Sequence, residues 1–319
     1  MAPNGHLSKT ETKGVQPMKK LVVYSGADRL PSGRAAGGIT EGCMVLEGGA
    51  FRGVYTSGVL DALMEAGINL QCTIGVSAGA MNGINYVTGQ IGRSARINLR
   101  YRRDPRYVGV QAYRGNRGII GFDFLFGEYD KQDPLSWGAL ERNGRRFVAV
   151  AANCCTGKTE YFERGNCTDL RKAIQASASM PYVSQPVLVD GVPCLDGGCT
   201  DKIPFGWALR NGYQKVVVVR TRPDDYRKTV RERSARWAQR VYREYPAFAK
   251  ALGECDRNYN RQCDTLERLK RQGRVFVISP SEPVTISRLE KDMEKLGRLY
   301  HLGYEDARRQ LDALRAYLA

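Results

Sequence analysis

The stretch TIGVSAGAMNG, residues 73–83, places Ser77 between Gly75 and Gly79. INLQCTIGVS (68–77) has the apolar content of a buried strand, and AGAMNGINYVTGQ (78–90) reads as the helix that follows. A Gly-x-Ser-x-Gly turn at such a junction forces its serine into a tight conformation, and the glycines let helix and strand approach without Cβ clashes. The serine hydroxyl then sits at the carboxyl end of a sheet, beside a helix N-terminus whose dipole favours a developing anion. A serine that merely caps an ordinary strand-to-helix turn gives the same five residues. The strand on one side and the helix on the other favour a nucleophile.

Working outward, the same grammar precedes this unit. In CMVLEGGAFRG (43–53), Met44-Val45-Leu46 is a short apolar run that stops at a glycine pair. VYTSGVLDALMEAG (54–67) follows with Val54, Leu60, Leu63 and Met64 at helical spacing, and Gly67 is a C-terminal stop. Two successive strand–turn–helix units predict a parallel sheet covered by helices. The glycine pair of EGGAFRG (47–53) lets the amides of Gly48, Gly49 and Ala50 point into one concavity, a nest for an anion such as the oxyanion of an acyl intermediate. Arg52 adds a positive charge or braces the loop. A dinucleotide-binding turn needs glycines at the first, third and sixth positions. Counting from Gly48 the third is Ala50, so that reading fails.

A serine hydroxyl needs a base, and the chain has two histidines, His6 and His301. His6 lies in a polar, Gly-rich opening segment. His301 follows the other candidates in the order Ser, Asp, His of α/β-hydrolases, but RLYHLGYEDARRQL (298–311) is helical, whereas a hydrolase histidine sits on a loop. The other candidate is Asp196 in CLDGGCTDKIP (194–204). A carboxylate can take the serine proton directly if burial raises its pKa; an ordinary Asp-Gly turn looks the same.

Four motifs in order, EGGAFRG, GVSAG, ASASMP (176–181) and LDGG (195–198), resemble the patatin-like phospholipase family over about residues 42–210. The basic C-terminal third looks like the extension of a bacterial branch of that family. The resemblance implies a three-layer αβα fold with a mostly parallel central sheet plus C-terminal helices. It implies a Ser-Asp dyad without histidine: Ser77 as nucleophile, Asp196 as base, Gly48, Gly49, Ala50, Arg52 and Gly53 as oxyanion loop, Gly75 and Gly79 as elbow. It implies no metal and no organic cofactor. Many members have a third glycine where this chain has Ala50, whose Cβ restricts the backbone and narrows the site.

Further strands are expected in RRFVAVAANCC (145–155), QPVLVDGVPCLDGG (185–198), GYQKVVVVRTRP (212–223) and GRVFVISPSEP (273–283), and helices in 168–181, 226–272 and 285–319. The domain reading is a flexible tail over 1–40, a catalytic domain over 41–212, and a C-terminal part over 213–319 that completes the sheet and adds basic amphipathic helices. No run of about 18 apolar residues occurs, and the first 20 residues lack the apolar core of a secretory signal. Nine cysteines without C-x-x-C pairs suit a reducing, cytoplasmic compartment.

The net charge of +16 is concentrated: residues 93–117 carry net +7 and residues 220–274 net +8. Such charge attracts anionic membrane surfaces, phosphate headgroups or nucleic acid, or forms a solvated face. Tyr101, Tyr107 and Tyr113 accompany some arginines, yet no nucleic-acid module surrounds them, which argues against nucleic acid. The expected substrate is a phospholipid or another acyl ester, with a small carboxylester or a lysophospholipid as alternatives and a catalytically dead scaffold as the rival to both. Peripheral contact with an anionic membrane is the expected partner interaction, at the inner membrane surface. Oligomeric state stays open.

Overall fold

The structure, a computed structural model, describes residues 21–319. His6 and the first half of the expected tail lie outside the described residues. The second half of that tail is built into the fold. It holds a single turn, Ala27–Arg29, and strand β1, Gly33–Arg34. Tyr24 donates its amide to Leu99 O (3.0 Å), Ala35 donates to Gly89 O (2.9 Å), and the Tyr24 ring packs where Gly297 leaves room. These partners are distant in sequence, so periodicity within the segment could not reveal them.

Strand β2, Thr40–Leu46, leads through a glycine loop to helix α1, Gly53–Glu65. Strand β3, Leu70–Val76, leads through Ser77 to α2, Ala78–Val87. A short β4, Gln90–Ile91, pairs with β1. Four α-helices and a π-helical stretch (Phe124–Glu128) then span the connection to the next long strand, the α-helices being α3 (Arg93–Tyr101), α4 (Val110–Asn116), α5 (Tyr129–Gln132) and α6 (Trp137–Arg142). Strand β5, Arg146–Asn153, is followed by β6 (Thr159–Glu163), α7 (Leu170–Ser177) and the hairpin β7 (Val187–Val189) and β8 (Val192–Asp196). Its Asp190-Gly191 turn has both residues at positive φ, the twist a two-residue hairpin requires. Helix α8 (Phe205–Arg210), β9 (Val216–Val219), α9 (Glu232–Val241), α10 (Pro246–Arg271), β10 (Phe276–Ile278), α11 (Met293–Arg309) and α12 (Leu311–Leu318) complete the chain.

The main sheet runs β10-β9-β2-β3-β5-β8-β7, with β6 also on β5. The five strands from β10 to β5 are parallel. They are apolar on both faces because both are covered. Met44, Leu46, Val217 and Val219 enter one core with α1, α2 and α11, while Cys43, Val45, Val216 and Val218 enter a second core with Trp207, Tyr259 and Leu266 of α8 and α10. This is the three-layer αβα arrangement. The sequence reading differs at β6, whose TEYFE pattern is polar, and at the start of α11. That helix begins at Met293, where the Asp292 carboxylate accepts from Glu294 N and Lys295 N (both 3.0 Å), which leaves 285–292 as a loop. Likewise α9 starts at Glu232, not at 226.

One detail of the sheet positions the site. Strand β6 occupies one edge of β5 over residues 148–152. Strands β3 and β8 must therefore share the other edge, β3 over 146–150 and β8 over 151–153. They meet end to end from opposite directions. Val76 pairs with Val150 and Asp196 with the next residue, Ala151. The residue after Val76 is Ser77.

Candidate active site

Ser77 sits between β3 and α2 at φ 57°, ψ −123°, a conformation rare for a residue with a side chain. Its glycine neighbours explain how it is held. A Cβ on Gly75 would lie 2.5 Å from the carbonyl of Gly79, and one on Gly79 would lie 2.4 Å from Leu46 O. Backbone packs directly on backbone at both points, so strand β3, helix α2 and strand β2 converge under the serine.

The hydroxyl of Ser77 donates to Asp196 Oδ2 at 2.7 Å, and both residues are buried. The other carboxylate oxygen, Oδ1, accepts from Gly198 N at 2.8 Å. Burial pushes the Asp196 carboxyl above the usual carboxylate range; the bonds from Ser77 and Gly198 and the charges of Lys202 and Arg288 oppose that rise. A carboxylate of raised basicity, bonded to a serine hydroxyl, is equipped to take its proton.

The ASASMP segment cross-braces this pair. Ser77 N donates to Ser177 Oγ (2.9 Å), and Asp196 N donates to Ser179 O (2.9 Å). The motif was legible in the sequence, but its role in holding both partners was not.

The glycine loop packs against the elbow. A Cβ on Gly48 would lie 3.2 Å from Ser77 Cβ, and one on Gly53 would lie 2.7 Å from Ala78 Cβ. Gly48 N makes a long bond to Lys202 O (3.4 Å), whereas the Gly49 and Ala50 amides have no partner outside their own turn among the described residues. Ala50 adopts φ 50°, a conformation glycine accepts more readily. Arg52 is buried beside the same loop.

His301 lies elsewhere. It is on α11 with its ring 6.0 Å from that of Tyr24, and burial lowers its pKa. It lines neither cavity around Ser77, so the structure does not bring the Ser, Asp, His order together.

Two cavities meet at the serine. The smaller, about 40 Å³, is apolar, with Phe51, Val54, Met81, Tyr107 and Ile120 in its wall. The larger, about 500 Å³, also contains Asp196 and carries Arg52, Lys202, Arg222 and Arg288. Ala50, Ser77, Met180 and Leu289 belong to both. Sequence reasoning singled out neither Arg222 nor Arg288, which reach the site from loops after β9 and β10.

Two regions of the chain match known families. Residues 44–209 match the patatin-like phospholipase family, and residues 245–319 match a domain of unknown function, DUF6363. The chain is 28% identical to YjjU of Escherichia coli (strain K12), an uncharacterized protein, over 82% of this chain and 74% of that one. It is 31% identical to the NTE family protein Mb1092c of Mycobacterium bovis over 51% of this chain and 44% of that protein. It is 26% identical to lysophospholipase NTE1 of Scheffersomyces stipitis over 65% of this chain, a stretch that spans only 13% of that enzyme. The family pattern covers more than half of the chain and contains both turns described above, and the chain therefore belongs to the patatin-like phospholipase family of lipid acyl hydrolases.

Proposed function

We propose that the protein hydrolyses acyl esters of lipids with Ser77 as nucleophile and Asp196 as the sole base. The observation that carries this reading is the 2.7 Å bond from the Ser77 hydroxyl to a buried carboxylate. Asp196 takes the hydroxyl proton as Oγ attacks the ester carbonyl. The free amides of Gly49 and Ala50 stabilise the oxyanion. Collapse of the intermediate breaks the ester C–O bond, and Asp196 returns the proton to the leaving alcohol. A water then gives a proton to Asp196 and attacks the acyl-serine; the bond from the acyl carbon to Ser77 Oγ breaks, that oxygen takes the proton back from Asp196, and the fatty acid is released. The apolar cavity holds the acyl chain, and the larger one holds the alcohol portion. The relatedness to lysophospholipase NTE1 favours a lysophospholipid, with one chain to seat, as the substrate form.

The membrane contact of this reading belongs to α9. Trp237 and Val241 are 55% and 41% exposed there, and Arg233, Arg236 and Arg240 form no ion pair among the described residues. Val230, Arg231 and Ser234, at its start, line the larger cavity. An anionic bilayer suits such a face. Segment 93–117 is different, because Arg93, Arg96, Arg100 and Arg106 are all paired with carboxylates of the fold. Among the described residues no helix is long and apolar enough to cross a membrane. With nine free cysteines, the proposed compartment is the cytoplasm.

The test is turnover of p-nitrophenyl acyl esters by the wild type, Ser77→Ala, Asp196→Asn and His301→Ala. The first two variants should lose about 10³-fold or more in kcat, and His301→Ala should keep its rate. Loss of activity in a folded His301→Ala protein would replace the dyad by a triad.

A further inference from the structure

The larger cavity is cationic in a way the fold itself does not explain. Arg52 is only 9% exposed, its guanidinium makes no hydrogen bond among the described residues, and its Nε is buried without a partner. Arg222 donates once, to Val284 O (2.6 Å), lies over the Tyr226 ring at 4.5 Å, and also has a buried Nε without a partner. Arg288 is exposed, and its own carbonyl accepts from Phe51 N (3.3 Å), which ties its loop to the oxyanion loop. None of the three forms an ion pair among the described residues, although most of the other partly buried arginines do.

The three charges act on one another. The Arg52 pKa is held down to about 10, first by burial and then by Arg222, with Arg288 adding to it; Glu47 is the carboxylate that opposes the drop. Glu47 is itself engaged, accepting at Oε2 from Thr221 N (2.6 Å) and Thr221 Oγ1 (3.2 Å). The cavity lining holds six cationic side chains against the three carboxylates of Glu47, Asp196 and Asp256; crowded guanidiniums with open donors in such an excess of positive charge form a receptor for an anion, and their planar forks match phosphate oxygens. The receptor opens into the cavity that contains Ser77 and Asp196, and the acyl chain has an apolar cavity of its own.

We propose that Arg52, Arg222 and Arg288 form a subsite for a phosphate group on the leaving alcohol, so that the enzyme prefers acyl esters of glycerol phosphate to neutral acyl esters of the same chain. This rests on the hydrolase reading above. The reaction is lysophosphatidate plus water to fatty acid plus glycerol phosphate. The Ser77 oxygen forms the new acyl bond, the bond to the glycerol oxygen breaks, and that oxygen takes its proton from Asp196. The phosphate is bound, not transferred.

The experiment compares 1-acylglycerol 3-phosphate with 1-acylglycerol of equal chain length, both as monomers, for wild type, Arg222→Gln and Arg288→Gln. Arg288 is exposed, so its variant tests the subsite without disturbing the core. The wild type should favour the phosphate ester by roughly tenfold or more in kcat/KM, the scale of a charge-assisted hydrogen bond. Each variant should lose most of that preference, chiefly through KM. Inorganic phosphate should compete with the phosphate ester in the wild type and lose potency in both variants. If both esters are cleaved equally, or the neutral one faster, the subsite falls while the hydrolase reading stands. If inorganic phosphate competes but the phosphate ester is not preferred, the arginines hold a free anion and the headgroup assignment is overturned. If neither these esters nor p-nitrophenyl esters are cleaved, the hydrolase reading falls and takes the subsite with it.

Discussion

The β2–α1 turn and the β3–α2 turn are built to one plan and differ in what holds them. Both leave neighbouring parallel strands at the carboxyl end, and each puts a non-glycine residue at positive φ: Ala50 at 50° and Ser77 at 57°. At Ser77 the constraint is backbone against backbone, through Gly75 and Gly79. Around Ala50 the contacts are mixed: a Cβ on Gly49 would meet Thr221 Oγ1 at 2.6 Å, one on Gly53 would meet Ala78 Cβ at 2.7 Å, and one on Gly48 would meet the backbone at Val76 O at 3.1 Å. The Thr221 hydroxyl can turn aside, whereas the Cβ of Ala78 and packed strands and helices cannot. The Ser77 turn is therefore fixed by the sheet, and the glycine-loop turn retains adjustability at Gly49.

Substitutions can break or sharpen that contrast. Gly79→Ala should be the most damaging, because its Cβ would lie 2.4 Å from Leu46 O. A loss of about 2–3 kcal/mol in denaturant unfolding is expected, against about 1 kcal/mol or less for Gly49→Ala. Equal losses would end the distinction between the two turns. Ser177→Ala removes the acceptor of the Ser77 amide; it should cost about 1 kcal/mol of stability and lower kcat more than it raises KM.

Lys202 joins the two turns, since its carbonyl meets Gly48 N while its charge lowers the Asp196 pKa. In the proposed mechanism Asp196 acts as a base only when ionised, so kcat/KM should rise with pH through its elevated pKa. Lys202→Met removes an opposing positive charge and should move that rising limb to higher pH. An unmoved or downward-moved limb would detach Asp196 from the profile. The smallest effect belongs to Ala50→Gly. Relief of a left-handed alanine, about 1 kcal/mol, is offset by the greater freedom of glycine in the unfolded chain. Tm should scarcely change, while bulkier acyl esters gain in relative rate because Ala50 lines both cavities.

The central layer was readable because its strands are short apolar runs between glycines and because the two turns carry their own signatures. The juxtaposition of Ser77 and Asp196 was reached through motif resemblance, since nothing local announces that β8 arrives head-on at β3. The arginines fall into groups that the sequence does not separate. The sequence shows their density, but Arg93 and Arg220 are buried and structural, Arg233 and Arg236 are exposed, and Arg222 and Arg288 line the larger cavity. Only tertiary partners separate these roles. Residues 21–40 were missed for the same reason, as their hydrogen bonds go to remote segments.

Helices α1 and α11 touch through their glycines: a Cβ on Gly58 would fall 2.0 Å from Tyr300 O, and one on Gly303 2.1 Å from Tyr55 O. Tyr55 donates to Asp306 and Tyr300 donates to Asp61, at 3.0 and 2.9 Å. The boundary between the two matched sequence families is therefore not a seam in the molecule. A chain stopped at residue 212 would leave the β2 edge without β9 and this helix face without its partner. In terms of inheritance, the patatin-like half and the C-terminal third hold together as one piece, because each covers part of the other's interior.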